Sequence, residues 1–371
     1  MENLVEKYNR AEREGRSTVP NRAIEAFGLE VFGTLGYPFR VYDESELWRY
    51  HDVMHEGRFE ENLKLTKRFT DHEFELIAKT AKQIFGFSER YFPIRNTGKH
   101  ALTASLYQFQ LIMANRPHDG PLKILEIGPG CGYLGLLLTN DGHQYFAMDA
   151  AQAFYLYQKK LWSDIYGDGY FDYSESNSMT ESAKVVHIPW WRFANLSIPL
   201  PEVDIVTINH ALAEMHENAV KTIFARLYEM WGDNEKKLVI GENLGNDIFN
   251  RKDKIFSIIR TFGFFYSKNG DAHLWRPNVS KARPELIISP KRAKNLVFLK
   301  KFFRNVVTAI LKNSRFAQIA KIFRHEPEKF KIPTTSLTAR KQNLRDFFEN
   351  FNPNEKSPDE KFLAQIDQSK F

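Results

Sequence analysis

The spacing of hydrophobic positions changes partway along the chain. Residues 1 to about 95 are predicted to be helical and irregular, and from Phe74 to Phe85 apolar residues recur every three or four positions, as on one face of a helix. One helix is predicted to begin near Thr70 and to end at Gly86, and another to cover Lys99 to about Ala114. The first part of the chain is therefore predicted to be helical.

From residue 123 onward, short apolar runs alternate with helical stretches. This alternation is typical of a parallel sheet with helices on both faces. Asn269 and Gly270 lie between two apolar runs, which is the strongest short signal for a hairpin. The predicted fold is therefore α/β and Rossmann-like, with five parallel strands and a terminal antiparallel hairpin. The predicted parallel strands are 123–127, 143–149, 183–189, 203–210 and 236–243, the hairpin strands are 262–268 and 272–277, and later helices are expected near 220–231 and 247–260.

The turn after the first strand is rich in glycine. Residues 122–138 read LKILEIGPGCGYLGLLL, which predicts a strand, a glycine turn and a helix. Such turns hold nucleotide cofactors. A loop that binds nucleoside triphosphates needs Lys and then Ser or Thr after its last glycine, whereas Tyr133 and Leu134 follow Gly132 here. A dinucleotide pattern is met formally by Gly130, Gly132 and Gly135.

Of two acids near strand ends, one suits either cofactor class and the other favours S-adenosylmethionine over a dinucleotide. Asp149 ends the second predicted strand, where an acid binds ribose hydroxyls in either class. Glu126, just before the turn, would repel a pyrophosphate but suits the cationic sulfonium and amino groups of S-adenosylmethionine. The terminal hairpin also argues against a dinucleotide-binding sheet. An NAD(P)-dependent oxidoreductase remains an alternative at this point.

The segment ILEIGPGCG resembles motif one of class I S-adenosylmethionine-dependent methyltransferases, and the resemblance covers roughly residues 95–280. It implies that Asp149 holds the ribose and that the adenine lies near Pro189 and Trp190. The commonest family pattern has an acid or Asn after that strand, and this chain departs from it. The resemblance also implies that the methionine and ribose are lined by Glu126, Gly128, Gly130 and Gly132. In the N-terminal region, we expect Arg95, Asn96 and Gly98, just before the helix that precedes the first strand, to lie at the cofactor.

The fourth strand ends in INHALAEMHEN, which supplies candidate catalytic residues. We expect Asn209 at the cofactor, His210 as a base for a hydroxyl nucleophile, and Glu214 orienting that base or the acceptor. His210 could instead cap the following helix. Binding of a metal by His210, Glu214 and His216 is a weaker alternative, and no metal is predicted. Glu242, at the end of the fifth strand, is a further candidate near the acceptor.

A narrower resemblance concerns the acceptor. The pair EIGPGCGY and NHALAEM (209–215) is similar to bacterial sugar O-methyltransferases of surface-glycan clusters, although that family more often has Asp and Ser where His210 and Ala211 stand. It implies a sugar hydroxyl as acceptor. Alternatives are a methyltransferase of another small molecule, or a non-catalytic glycan-assembly partner with this fold. Aromatic residues that could stack on a sugar, or simply pack, are Tyr133, Trp190 and Trp191, beside Arg192.

Charge is concentrated in one segment. The net charge is +6, but residues 286–325 hold ten Lys and Arg and no acid; without those ten, 42 basic residues remain against 46 acidic. This segment predicts a basic amphipathic helix that either docks on anionic membrane through 291–324 or packs on the catalytic domain. Nucleic acid is an unlikely partner. With one cysteine, no signal peptide and no long apolar run, we expect a cytoplasmic protein, possibly membrane-peripheral.

Four regions are predicted. These are an N-terminal helical cap (1–95), a cofactor-binding methyltransferase domain (96–285), a basic helical extension (286–350) and a flexible tail (351–371).

Overall fold

A computed structural model of the chain describes residues 3–27, 40–53, 55, 58–66, 69–209, 211–213, 215–232, 234–242, 252–269 and 272–277. The predicted basic extension and tail lie outside these residues. The N-terminal part of the chain is helical. Its elements are α1 (Leu4–Arg16), α2 (Asn21–Phe27), a 3-10 helix (Glu44–Tyr50), α3 (Phe59–Leu65), α4 (Asp71–Tyr91) and α5 (Lys99–Ala114).

Among the described residues, one sheet of eight strands follows, and it confirms the predicted Rossmann-like α/β fold. Its order is β3-β4-β2-β1-β5-β6-β8-β7, parallel through β6 and antiparallel at β8 and β7. The strands are β1 (Lys123–Ile127), β2 (Gln144–Asp149), β3 (Tyr170–Asp172), β4 (Val185–Pro189), β5 (Ile205–Asn209), β6 (Leu238–Glu242), β7 (Phe264–Asn269) and β8 (Ala272–Pro277). The connecting helices are α6 (Tyr133–Asn140), α7 (Gln152–Tyr166), α8 (Trp190–Ala194), α9 (Glu217–Trp231) and α10 (Lys252–Thr261).

The strand order fixes where a ligand can bind. The chain leaves β1 toward β2, β4 and β3 on one side, and returns to β5 and β6 on the other. In open parallel sheets the crevice at this reversal, beyond the carboxyl ends of the strands, is the ligand site. The carboxyl ends of β1, β2 and β5 therefore border the crevice where a ligand would bind.

One strand was missing from the predicted sheet. The short edge strand β3 pairs in parallel with β4, so six strands are parallel rather than five. Three residues are too few to show the alternation that marks a strand in sequence. The strand is held by its partners: Lys159 on α7 forms an ion pair with Asp172 at 2.7 Å, and Tyr170 Oη lies 3.1 Å from His187 Nδ1.

The prediction that Gly86 ends α4 is wrong, because the helix continues to Tyr91. A side chain added at Gly86 would meet only the flexible end of Arg90, so the glycine faces outward. Beyond it, Phe87 and Ser88 are buried. Packing of the helix outweighs the weak intrinsic preference of one glycine, which is roughly 1 kcal/mol.

The N-terminal helices share their core with the sheet. Buried residues of α1, α2 and the 3-10 helix, such as Val5, Ala23 and Leu47, belong to one hydrophobic cluster with the strands. Helix α1 contacts both α7 and α8. Because α7 follows β2 and α8 follows β4, α1 lies across the carboxyl ends of those strands. Within the described residues, no helix combines the length and apolar character needed to cross a membrane.

Candidate cofactor site

The glycine turn has a backbone that only glycine adopts readily. Gly128, Gly130 and Gly132 have φ values of +73°, +56° and +76°. The Gly128 amide donates to Met148 O at 2.9 Å, and the Gly132 amide donates to Pro129 O at 2.9 Å. Residues 128–130 are partly exposed between buried neighbours, so this turn opens to solvent at the edge of the sheet.

The glycines differ in what surrounds them. A Cβ at Gly130 would meet no atom within 4 Å, whereas a Cβ at Gly132 would lie 2.6 Å from the Trp162 ring. Gly135 sits equally close to Tyr145, at 2.5 Å, where α6 packs on β2. Gly132 and Gly135 are therefore needed for packing, and Gly130 leaves its side of the turn free for a ligand.

Substitution of Gly132 by alanine should destabilise the protein much more than substitution of Gly142. Both glycines have positive φ, but a Cβ at Gly142 would meet nothing within 4 Å. Gly142→Ala should lower the free energy of unfolding by about 1–2 kcal/mol. Gly132→Ala should lower it by roughly 3 kcal/mol or more, because the Trp162 ring must also move. Urea unfolding of both variants measures the difference, and equal losses would contradict this account of the turn.

Asp149 ends β2 directly beside the turn. Its Oδ1 accepts from the Ala151 amide at 2.9 Å, and its Oδ2 accepts from Gln158 Nε2 at 3.0 Å. Burial raises the pKa of Asp149 to about 6, and these hydrogen bonds oppose the increase. Hydrogen bonds from the Ala150 and Gly130 amides lower the pKa as well. A carboxylate at the end of this strand is placed to bind the hydroxyls of a ribose.

Gln158 on α7 was not predicted as a functional residue. Its Nε2 donates to Gly130 O at 2.7 Å and to Asp149 Oδ2. Gln158 therefore links the glycine turn to Asp149. It is completely buried. A polar residue within the apolar stretch QAFYLYQKKLW was the available signal, but its contacts depend on how α7 packs.

Glu126 lies under the turn, on β1. Its Oε2 accepts from the Tyr145 hydroxyl at 2.6 Å, and Asn209 Nδ2 at the end of β5 lies 3.5 Å from its Oε1. Burial raises the pKa of Glu126 to about 7, although both hydrogen bonds lower it, and the charge of Asp149 adds to the increase. A cation bound nearby would favour the ionised form.

The segment after β5 borders the same turn. A Cβ at Gly128 would lie 3.0 Å from Ala211 Cβ, so residue 211 contacts the glycine turn. The predicted catalytic residues His210 and Glu214 lie outside the described residues, and so does the side chain of Glu242. His216 caps α9, since its Nδ1 accepts from the Asn218 amide at 3.2 Å.

The segment 95–98 packs behind the turn. Arg95 is exposed and pairs with Glu89 at 3.4 Å. Gly98 contacts the Tyr133 ring, which lies 2.4 Å from the position of an added Cβ. Asn96 O accepts from His51 Nε2 at 3.2 Å.

This bond fixes the tautomer of His51. Burial lowers its pKa to about 4, so the neutral ring carries its proton on Nε2 and its Nδ1 accepts from a tyrosine. Tyr157 and Tyr133 hydroxyls lie 2.9 and 3.1 Å from Nδ1 and 2.8 Å from each other. This satisfied network supports the turn from behind.

The aromatic residues considered for sugar stacking are buried in packing. Tyr133, Trp190 and Trp191 all belong to the core, and Arg192 stacks on Tyr173 at 3.8 Å. None of the three rings presents a face to solvent for a sugar. Among the residues that the structure describes, no group of three His, Cys, Asp or Glu side chains is arranged to hold a metal.

No family model matches the sequence, and a search of curated proteins found no match. Solved structures with similarity include a TehB-like S-adenosylmethionine-dependent methyltransferase from Corynebacterium glutamicum (13% identity, 46% of this chain, 87% of that chain, TM-score 0.34). A magnesium protoporphyrin IX methyltransferase from Synechocystis with bound S-adenosylmethionine shares 10% identity over 64% of this chain and 98% of its own, with a TM-score of 0.32. The cyclase SpnF shares 16% identity over 45% and 58%, with a TM-score of 0.32.

Proposed function

We propose that the protein is an S-adenosylmethionine-dependent methyltransferase. One observation carries the proposal: an open glycine turn lies between an acid at the end of β2 and a buried carboxyl that a cation would ionise. These residues are Gly130, Asp149 and Glu126. Asp149 fits ribose hydroxyls, and Glu126 fits a positively charged methionine portion. An ionised Glu126 would repel a pyrophosphate, whereas Asp149 suits the ribose of either cofactor class.

The residues also indicate how the cofactor would be held. When bound, S-adenosylmethionine supplies an activated methyl group for transfer. Asp149 would bind the ribose, and Gly128, Gly130 and Gly132 would let the backbone approach the cofactor closely. Asn209 Nδ2 donates to Thr207 Oγ1 at 2.9 Å and orients Glu126 at the end of β5. Fixed positioning of this kind is a large part of the catalysis of a displacement reaction.

We propose oxygen as the methylated atom, most simply a sugar hydroxyl of a glycan or lipid-linked saccharide. His210 follows Asn209 directly and precedes Ala211, which contacts the glycine turn. A base at this position could take the proton of the acceptor hydroxyl as the O–C bond forms. Glu214 would orient that base or the acceptor. The proposed setting is cytoplasmic, with contact to anionic membrane through residues 291–324.

Replacement of His210 by asparagine should lower methyl transfer about 100-fold or more while cofactor affinity stays within about threefold. Transfer of tritiated methyl from S-adenosylmethionine to saccharide acceptors measures the rate. His216→Asn is the matched control, because His216 caps α9 and should leave the rate nearly unchanged. An undiminished rate in His210→Asn would contradict its role as base, and label found on nitrogen would contradict oxygen transfer.

A further inference from the structure

Helix α1 forms a wall beyond the ribose acid. Gln152 Nε2 at the start of α7 donates to Asn9 Oδ1 at 2.9 Å, and Trp190 Nε1 at the start of α8 donates to Glu12 Oε1 at 3.0 Å. The helix is thereby tied to the carboxyl ends of β2 and β4. Gln152 is three residues beyond Asp149, and the Val41 amide donates to its Oε1 at 2.8 Å. The adenine of a nucleoside whose ribose is bound by Asp149 would reach this wall.

Glu12 is a buried carboxylate with unused acceptor capacity. Its Oε2 forms an ion pair with Arg40 Nη2 at 2.6 Å, and its Oε1 accepts from Trp190. Arg16 lies farther away, at 3.9 Å. Pairing with Arg40 makes burial of the charge tolerable. Because each carboxylate oxygen can accept two hydrogen bonds, Oε1 still has room for one more donor.

Tyr8, one turn earlier on α1, adds an independent indication. Its hydroxyl is buried and, among the described residues, has no hydrogen-bond partner. Its ring is fixed between Tyr155 and Trp191, with centroids 5.0 and 5.2 Å away. Burial raises the pKa of Tyr8, the charge of Glu12 raises it further, and the charge of Arg40 lowers it. A buried hydroxyl of this kind usually has a hydrogen-bond partner.

We propose that α1 is the base-binding wall of the cofactor site and that Glu12 accepts a hydrogen bond from the exocyclic amino group of adenine. This inference rests on the proposed function and names the residue that selects the base. An amino group on the purine is a donor that a carboxylate accepts, whereas a carbonyl at the same position would be repelled. Arg40 and Trp190 hold Glu12 in place, and the Tyr8 hydroxyl is available to a ring nitrogen or ribose oxygen.

The test compares two ligands whose bases differ at this position and at the neighbouring ring nitrogen N1, which is an acceptor in adenine and an N–H donor in hypoxanthine. S-adenosylhomocysteine carries the amino group, and S-inosylhomocysteine carries a carbonyl. The wild type should bind the adenosyl ligand at least about 10-fold more tightly. Glu12→Gln should weaken adenosyl binding about 10-fold and tighten inosyl binding, because the new amide can donate to the carbonyl. Calorimetric titration of the full chain gives the four dissociation constants.

Controls separate this inference from the proposed function. Glu14→Gln, an exposed acid on the same helix, should leave both constants unchanged. If Glu12→Gln weakens both ligands equally, or leaves the preference intact, the inference is overturned while the function stands. Failure of the wild type to bind either ligand overturns the function as well. If Glu12→Gln does not fold, Glu12→Asp withdraws the carboxylate and should reduce adenosyl binding alone; a full preference in that variant also overturns the inference.

Discussion

Asp149→Asn is expected to weaken S-adenosylhomocysteine binding about 100-fold or more, since two hydrogen bonds to a charged acceptor are affected. Both carboxylate oxygens already accept a hydrogen bond from the protein, from Ala151 N and Gln158 Nε2. An asparagine places an NH₂ group where one of those oxygens stands. The new NH₂ group faces either a hydrogen-bond donor of the protein or a ribose hydroxyl. The loss of binding affinity is therefore larger than the loss expected from removing one charge.

The matched control for this prediction is Asp168→Asn. Asp168 is exposed in the turn before β3, on the opposite edge of the sheet from the carboxyl ends. The Asp168→Asn variant should bind S-adenosylhomocysteine with the affinity of the wild type. An Asp149→Asn variant that binds as tightly as the wild type would show that Asp149 does not hold the ribose.

Glu126→Gln should stabilise the protein without cofactor at neutral and higher pH. The unfolded chain ionises this carboxyl above about pH 4.5, but burial keeps the pKa of Glu126 at about 7 in the fold. The free energy of unfolding therefore falls progressively as the pH rises from about 4.5 to about 7, and the full loss is present above pH 7. The size of the pKa shift corresponds to a loss of roughly 3 kcal/mol. Glutamine carries no charge, so the variant should exceed the wild type at pH 8 and approach it at pH 4.5. Urea unfolding at both pH values measures this, and an equal or lower stability at pH 8 contradicts it.

The same substitution should impair binding of the cationic cofactor. Because a nearby cation favours the ionised carboxyl, S-adenosylmethionine affinity of the wild type should increase from pH 6.5 to pH 8. Glu126→Gln should bind more weakly, and its affinity should vary less over that range. A pH dependence that persists unchanged in the variant would assign it to another group. Together the two results would show that Glu126 lowers the stability of the protein without cofactor and strengthens the binding of the cofactor.

The sequence was sufficient where the signal is local. The glycine turn, its flanking strand at 123–127 and the hairpin around Asn269 all follow from patterns of a few residues, and the structure confirms them. Asp149 could be placed at a strand end for the same reason. The prediction of a parallel sheet also holds, because alternation of strands and helices is repeated several times along the chain.

What the sequence could not predict depends on contacts between distant residues. Glu12 meets Trp190 across 178 positions, and Gln158 meets Gly130 only because α7 packs beside the turn. Neither residue type is unusual in a helix. The burial of Trp190 also could not be predicted, since it follows from the position of α1. Local sequence patterns therefore predicted the glycine turn and Asp149. The residues packed around them could be identified only from the folded structure.

The most direct test of the proposed cofactor site is a calorimetric titration of the wild-type protein with S-adenosylhomocysteine at pH 8, with NAD⁺ as the comparison. Micromolar binding of S-adenosylhomocysteine and none of NAD⁺ is the predicted result. Circular dichroism on the same sample shows that the protein is folded. A folded protein that binds NAD⁺, or that gives no heat with S-adenosylhomocysteine, would contradict the methyltransferase assignment.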